Sequence, residues 1–157
     1  LELIRELAVQ SGPAGMAGGQ MMDLVAGDVI YDLAGITRLQ QLKTGALIQF
    51  CLEAGAIMGR ASDAQKLSLR GYARDLGLAF QIADDILDVE GESAKTGKAV
   101  QKDAAAGKAT FVSLLGLERA RTQAQMLIDQ AIAHLASFGP EADLLRAVAR
   151  FAVERDR

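Results

Sequence analysis

Three aspartates and a glutamine interrupt an apolar run, FQIADDILDV, at residues 80–89. An α-helix turns by about 100° per residue, so these polar residues share an arc of roughly 100°, while apolar residues cover the other faces. The members of this acidic stripe are Gln81, Asp84, Asp85 and Asp88. Because a helix that is apolar around most of its circumference is buried, we expect the acidic stripe to line a cleft.

Carboxylates at this spacing predict a bound cation. They repel one another unless a cation neutralises them, and otherwise the pKa of one of them rises. Hard oxygen ligands favour Mg²⁺, which takes one or two carboxylates and completes its octahedron with water and phosphate oxygens. The alternative is a solvated acidic face, as in most acidic clusters on helices. The flanking apolar residues favour a cleft with a cation, since an unpaired buried charge is costly.

Lysines follow the acidic stripe in residues 91–108, a segment rich in Gly, Lys, Ser and Thr that is predicted to be the one extended loop. They are Lys95, Lys98, Lys102 and Lys108, interleaved with small residues and with Asp103. Ammonium groups that fold over a Mg²⁺ cluster suit a diphosphate, because they stabilise its oxygens as negative charge builds on a leaving group. The alternative is an exposed loop that lysine keeps soluble.

Two further segments carry weaker signals. Lys43, Thr44 and Gly45 lie inside a predicted helix, where threonine and glycine favour a bend that turns carbonyl oxygens into a cavity. A bend without a function is the alternative. In GMAGGQMMDL, Gln20 and Asp23 lie one turn apart after small residues that permit close helix packing.

The composition predicts one all-α domain over residues 1–157. Half of the residues are hydrophobic and 4% are aromatic, and Ala, Leu and Ile recur at intervals of three and four. Helices are predicted at residues 1–10, from about 14, at 33–59, 62–89, 111–138 and 141–155. The only histidine, His134, is predicted to be a partly exposed helix residue rather than a ligand or a base.

Charge and cysteine content exclude several classes of partner. The net charge is -3, from 17 basic and 20 acidic residues, so nucleic acid is not an expected partner. The single cysteine, Cys51, excludes a disulfide framework within the chain and favours a cytoplasmic location. The most apolar window, residues 45–59, contains Gln49 and Glu53 and is shorter than the ~20 residues that cross a bilayer, so no membrane span is expected.

The motifs GQMMDL, KTGAL and FQIADDILD, followed by GK and, ten residues later, GKAT, resemble the carboxyl-terminal half of trans-type polyprenyl diphosphate synthases. Bacterial farnesyl and geranylgeranyl diphosphate synthases are the most similar members. The resemblance spans essentially the whole chain, and DDILD at residues 84–88 matches the second aspartate-rich motif of the family. It implies an all-α isoprenoid synthase fold with helices around a central cavity, and a homodimer in most members.

The resemblance also implies a reaction in isoprenoid biosynthesis. An allylic diphosphate ionises at a magnesium cluster, and the double bond of isopentenyl diphosphate attacks the carbocation. A proton is then lost to the released diphosphate.

The resemblance assigns metal ligation to four acids. Asp84 would bind Mg²⁺ directly, with Asp85 and Asp88 acting through bound water, and Asp103 matches a family acid near the second motif. The family's first aspartate-rich motif, which would complete the cluster, has no counterpart in this sequence and would lie upstream of Leu1. We therefore expect this chain to be a fragment with about half of an active site.

The other site residues follow from the same resemblance. Those expected to hold the allylic diphosphate are Lys43, Lys98 and Lys108. Those expected to face the developing cation are Gln81, the Thr44 hydroxyl and the Lys43 carbonyl, and those expected to support the substrate end of the cavity are Gln20 and Asp23. Arg155 and Arg157 match basic tails that close over the site in some relatives, although a frayed terminus is the favoured expectation.

Three alternatives differ in what they require of the sequence. Terpene cyclases share the fold but usually carry a mixed Asn, Ser and Glu motif where this chain has DDILD. Noncatalytic subunits of prenyl synthases tend to lose the aspartates and the site lysines, which are present here. A plain helical interaction module predicts no magnesium-dependent ligand binding.

Overall fold

A computed structural model of the chain describes residues 1–96 and 109–155, and of residues 92–96 only the backbone. Within these residues the regular structure is helical and contains no strand, as the composition predicts. The helices are α1 (Glu2–Ser11), α2 (Met16–Leu24), α3 (Leu33–Gln40), a π-helical segment (Gln41–Gly45), α4 (Ala46–Met58), α5 (Asp63–Thr96), α6 (Phe111–Leu115), α7 (Leu117–His134), a short 3₁₀ turn (Pro140–Ala142) and α8 (Asp143–Glu154). None of the described helices is long and apolar enough to span a bilayer.

Helix α5 is the central element, with α4, α7 and α8 packed around it. Its 34 residues make it about 51 Å long. Tyr72 and Ile82 of α5 are fully buried, as is Ile128 of α7. The Tyr72 hydroxyl donates to the Leu145 carbonyl of α8 at 2.7 Å, and burial raises its pKa to about 12, so it remains a donor. The apolar face of α5 therefore forms the core, as its periodicity predicts.

Two predicted helix boundaries are wrong. We expected α5 to end near residue 89, but it continues to Thr96, and Glu90 in this extension forms an ion pair with Arg121 of α7. The contact with α7 supports the helix past Gly91, where local sequence alone favours a loop. The predicted helix at residues 111–138 divides at Gly116, whose φ of 81° is left-handed and suits glycine. Residues 97–108 of the predicted loop lie outside the described residues.

Glycines bring three helical segments into close contact. A Cβ atom on Gly19 of α2 would lie 2.2 Å from the backbone nitrogen of Lys43, and one on Gly77 of α5 would lie 3.1 Å from the Gly45 Cα. The π-helical segment is therefore packed between α2 and α5 at backbone distance. This packing fixes where Lys43 and Thr44 lie relative to α5.

Replacing Gly19 by alanine is expected to lower the free energy of unfolding by about 1 to 3 kcal/mol, because its Cβ would overlap backbone atoms that cannot move independently. The matched control is Gly91→Ala, since nothing lies within 4 Å of a Cβ at that helical position. Urea denaturation followed by circular dichroism measures both. A Gly19→Ala protein as stable as the control would contradict this account of the contact.

Candidate functional site

Both carboxylate oxygens of Asp84 have partners. The Gln81 side-chain amide donates to Oδ2 at 3.0 Å, and the Arg155 guanidinium forms an ion pair with Oδ1. The expectation that Arg155 would fray is wrong: its side chain is 14% exposed and lies 3.9 Å from the centroid of the Phe80 ring. Pairing with a carboxylate and stacking on an aromatic ring hold this terminal residue in place.

Asp85 lies next to Asp84 in sequence but contacts a different element. Its Oδ2 accepts a hydrogen bond from the backbone N–H of Phe111 at 2.7 Å. Phe111 is the first residue of α6, is 2% exposed, and follows the side-chain cap that Thr110 provides. Asp85 therefore connects α5 to the beginning of α6.

A cavity of about 770 Å³ lies between α5, α7 and α8. Asp84 and Asp88 are on its α5 wall, which bears out a cleft for these two members of the acidic stripe. Its other charged lining residues are Glu90, Arg121, Glu154 and Arg155. Apolar side chains such as Leu87 and Val153 form much of the remaining wall. The cavity thus combines an apolar lining with carboxylates in excess over guanidinium groups.

The carboxylates that line the cavity could supply some, but not all, of the ligands of a magnesium ion. In the described ranges 1–96 and 109–155, no three acidic, histidine or cysteine side chains converge on one point where a metal ion could bind. Asp84 and Asp88 nevertheless offer hard oxygen donors one helical turn apart. Because Mg²⁺ in phosphate sites is held by one or two carboxylates plus water and phosphate oxygens, this pair is chemically suitable.

Lys43 lies in the π-helical segment and pairs with Asp23. The Nζ to Oδ2 distance is 3.0 Å, and both side chains are partly buried. Gln20 lies one turn before Asp23 on α2, and Thr44 follows Lys43; both are half-buried. The predicted bend is present as a π-helical turn, so the helix is locally irregular at these residues.

The π-helical segment adjoins the face of α5 that carries the acidic stripe. Its contact on α5 is Gly77, beside Gly45. Gly77, Gln81, Asp84 and Asp88 follow one another at intervals of four, three and four residues, so they lie along one helix face. The π-helical segment therefore contacts α5 about two turns before Asp84, whereas Lys43, Thr44 and Gln81 do not line the cavity that Asp84 and Asp88 line.

Five residues of the predicted loop and tail lie outside the described residues, and their roles stay predictions: Lys98, Lys102, Asp103, Lys108 and Arg157. Sequence reasoning assigned no role to Phe80, Glu90 or Arg121. The charged residues of LERAR at residues 117–121 indicate a solvent-facing part of the helix but not the partner of Arg121 on α5.

His134 has a partner that its sequence environment does not indicate. Its Nε2 lies 3.0 Å from Oδ2 of Asp75, a buried carboxylate that also accepts from the Arg74 guanidinium at 2.9 Å. The His134 side chain is half-buried, consistent with the predicted exposure. These contacts join the first half of α5 to the end of α7.

The chain matches the Polyprenyl synthetase family over residues 3–149, and it belongs to that family. It is 41% identical to farnesyl diphosphate synthase of Escherichia coli over 161 residues, covering 100% of this chain and 54% of that protein. It is 42% identical to a dimethylallyltranstransferase of Fischerella ambigua, covering 99% of this chain and 45% of that protein. The chain thus spans about half the length of these relatives.

Solved structures of similar proteins share the fold. An FPP/GFPP synthase from Zymomonas mobilis superposes with a TM-score of 0.86 at 60% identity, covering 97% of this chain and 50% of that chain. A geranyltransferase from Helicobacter pylori, complexed with magnesium and isoprenyl diphosphate, superposes with a TM-score of 0.75 at 33% identity, covering 97% of this chain and 50% of that chain. The all-α isoprenoid synthase fold expected from the sequence is confirmed.

The Asp85 contact gives a stability prediction. We expect Asp85→Ala to lower the free energy of unfolding by about 1 to 3 kcal/mol, because it leaves the buried Phe111 N–H without this acceptor. Asp85→Asn retains a side-chain oxygen and should recover most of that loss. Asp88→Ala, at an exposed position on the same helix, is the control. Urea denaturation measures all three, and equal stability of the Ala and Asn variants at position 85 would argue against the hydrogen bond.

Proposed function

We propose that this chain supplies the carboxyl-terminal half of a prenyltransferase site that condenses isopentenyl diphosphate with an allylic diphosphate, as farnesyl and geranylgeranyl diphosphate synthases do. The observation that carries the proposal is the common face of α5. Asp84 and Asp88 line a cavity on this face, and the segment that carries Lys43 and Thr44 contacts α5 at Gly77, about two turns before Asp84. Membership in the Polyprenyl synthetase family supports the same reaction class.

Asp84 is the proposed direct ligand of magnesium, with Asp85, Asp88 and Asp103 acting through bound water. The Helicobacter pylori relative that holds magnesium and isoprenyl diphosphate supports this choice of metal. Bound magnesium would neutralise the diphosphate and so make it a better leaving group.

Lys43 is proposed to hold the allylic diphosphate together with Lys98 and Lys108. Its ammonium group is a flexible point charge that donates to phosphate oxygens without the fixed geometry of arginine. Asp23, 3.0 Å from that ammonium group, would orient Lys43 from α2, where Gln20 also lies. An ammonium group directed in this way would stabilise the negative charge that develops as the carbon–oxygen bond breaks.

Gln81 and Thr44 are proposed to face the carbocation. An amide oxygen and a hydroxyl oxygen present the negative ends of their dipoles, which stabilise positive charge when they are fixed in advance. Gln81 is fixed by the hydrogen bond that its amide nitrogen donates to Asp84, which leaves the amide oxygen available. Thr44 is fixed by the packing of the π-helical segment against α5.

The remaining parts of the proposal concern partners. The first aspartate-rich motif and the isopentenyl diphosphate site would come from a segment that this chain does not contain. A homodimer is proposed from the family resemblance alone, and a cytoplasmic location from the single cysteine.

The 157-residue chain by itself should not elongate an allylic diphosphate, whereas joining it to the missing half should restore activity. We would fuse it to the amino-terminal half of the Zymomonas mobilis synthase, the part that the superposition leaves uncovered. The assay is incorporation of labelled isopentenyl diphosphate into dimethylallyl diphosphate with Mg²⁺, after circular dichroism has verified folding. Turnover by the chain alone would refute the incomplete site, and a folded fusion protein without turnover would refute the proposed reaction.

In the active fusion protein, Asp84→Asn should lower kcat by about 100-fold or more, the range seen when one preorganised electrostatic group is removed. The control is Asp129→Asn, an exposed carboxylate on α7 that accepts only from Gln125 in the described residues. Steady-state kinetics at saturating Mg²⁺ give kcat and KM for each variant. Equal activity of Asp84→Asn and the control would contradict the assignment of Asp84 and favour a noncatalytic role.

A further inference from the structure

We propose that Arg155 is an internal cation for Asp84, and that a metal ion ligated by Asp84 displaces it, so that Arg155 lowers the metal affinity of the site. This inference rests on the proposed function in one respect, because it takes Asp84 as the direct metal ligand. It adds a residue that regulates metal binding from the opposite wall of the cavity.

The position of Arg155 supports this role. The residue directly follows α8, and its guanidinium group reaches α5, where it contacts Asp84 and lies over the Phe80 ring. Phe80 and Asp84 are four residues apart, so the ring and the carboxylate are neighbours on the helix surface. A planar guanidinium group can pair with a carboxylate while it stacks on an adjacent ring. One orientation of the Arg155 guanidinium group thus makes both contacts with α5, the ion pair with Asp84 and the stacking on Phe80.

Both oxygens of the Asp84 carboxylate have a partner, but only one of the two partners carries a positive charge. Oδ1 pairs with Arg155, and Oδ2 accepts from the neutral amide of Gln81. A divalent ion at either oxygen would lie within a few ångströms of the guanidinium group, and like charges at that distance repel strongly. The ion pair with Arg155 therefore opposes direct ligation by Asp84, whereas the Gln81 hydrogen bond does not oppose a metal ion.

The bound position of Arg155 is also imperfect, which makes displacement feasible. Its Nε is buried without a hydrogen-bond partner in the described part of the chain, and an unsatisfied buried donor is unfavourable. The Asp84 side chain is 41% exposed, so water weakens the ion pair. Glu154 and Val153 line the same cavity, so a displaced Arg155 would remain beside the substrate region.

The other charges around the cavity do not take over this role. Arg121 pairs with Glu90 and lies 3.9 Å from Glu118, so its charge is neutralised on the α7 side. Asp88 and Glu154 add negative charge around Asp84. In this surrounding the Asp84 carboxylate requires a cation, and Arg155 is the basic side chain that contacts it in the described residues.

The first test measures magnesium binding by calorimetry, with inorganic diphosphate present, on the chain and on the fusion protein described above. Arg155→Gln should tighten the apparent Kd for Mg²⁺ by about threefold to tenfold, since the population competent to bind metal increases. The matched control is Arg150→Gln, an exposed arginine on α8, which should leave the Kd unchanged. An unchanged Kd for Arg155→Gln would overturn the proposal. A weaker Kd would also overturn it, because Arg155 would then assist binding of the diphosphate.

The second test needs no metal and no activity. A double-mutant cycle compares the Tm values of the wild type, Arg155→Gln, Asp84→Asn and the double variant in metal-free buffer. Arg155→Gln should lower the Tm by about 1 to 3 °C in the wild type and by less in the Asp84→Asn background, where only the contact with the Phe80 ring remains to be lost. Additive effects would refute the Arg155–Asp84 contact whatever the reaction of the protein is.

The two tests separate failure of this inference from failure of the proposed function. Suppose that the Tm effects of the two substitutions are coupled but that Asp84→Asn leaves magnesium binding unchanged. This result would contradict Asp84 as the metal ligand, and with it the displacement of Arg155. Suppose instead that the Tm effects of the two substitutions are additive and that magnesium binding depends on Asp84. This result would be consistent with the proposed function and would refute the role of Arg155. Coupling together with tighter magnesium binding in Arg155→Gln supports both.

Discussion

A helix in the core of a protein can carry carboxylates only when those removed from water are paired, since removing an ionised group from water is costly. Helix α5 meets this constraint with partners from several elements. Asp75 pairs with His134 of α7, Asp84 with Arg155 after α8, Asp85 with the backbone of α6, and Glu90 with Arg121 of α7. These polar contacts attach the carboxyl-terminal helices to α5 along its length. The carboxylates of α5 that form the site therefore also help to determine which helices pack beside each part of α5.

The π-helical segment packs closely against α2 and α5 because the residues at these contacts are glycines, which have no side chain. Gly19 and Gly77 allow α2 and α5 to approach the π-helical segment at backbone distance. The extra residue in a π turn changes the direction in which the following side chains point. Lys43 then pairs with Asp23 of α2 while the segment remains in contact with α5. Close glycine contacts and an irregular helix turn thus position polar groups that regular helices with larger side chains would keep apart.

Sequence periodicity predicts features that depend on local geometry. The all-α class, the apolar face of α5 and the alignment of Gln81 with Asp84 all follow from the helical repeat. Features that depend on distant contacts were missed: Glu90, in the unpredicted last turns of α5, pairs with Arg121 of α7, and Asp85 contacts a residue 26 positions away. The break at Gly116 requires a left-handed φ that a glycine permits but does not impose. Arg155 lies 71 residues from Asp84, so no local pattern indicates its place.

The charge balance of the cavity links its stability to its chemistry. Four carboxylates and two guanidinium groups line it, so in the described residues negative charge is in excess. An apolar wall strengthens that field, because low-dielectric surroundings screen charge less than water does. Arg155 relieves the excess at Asp84 from within the chain, and a divalent ion would relieve it more completely. The same negative field that makes the metal-free cavity costly to form therefore draws in the cations that a diphosphate substrate requires.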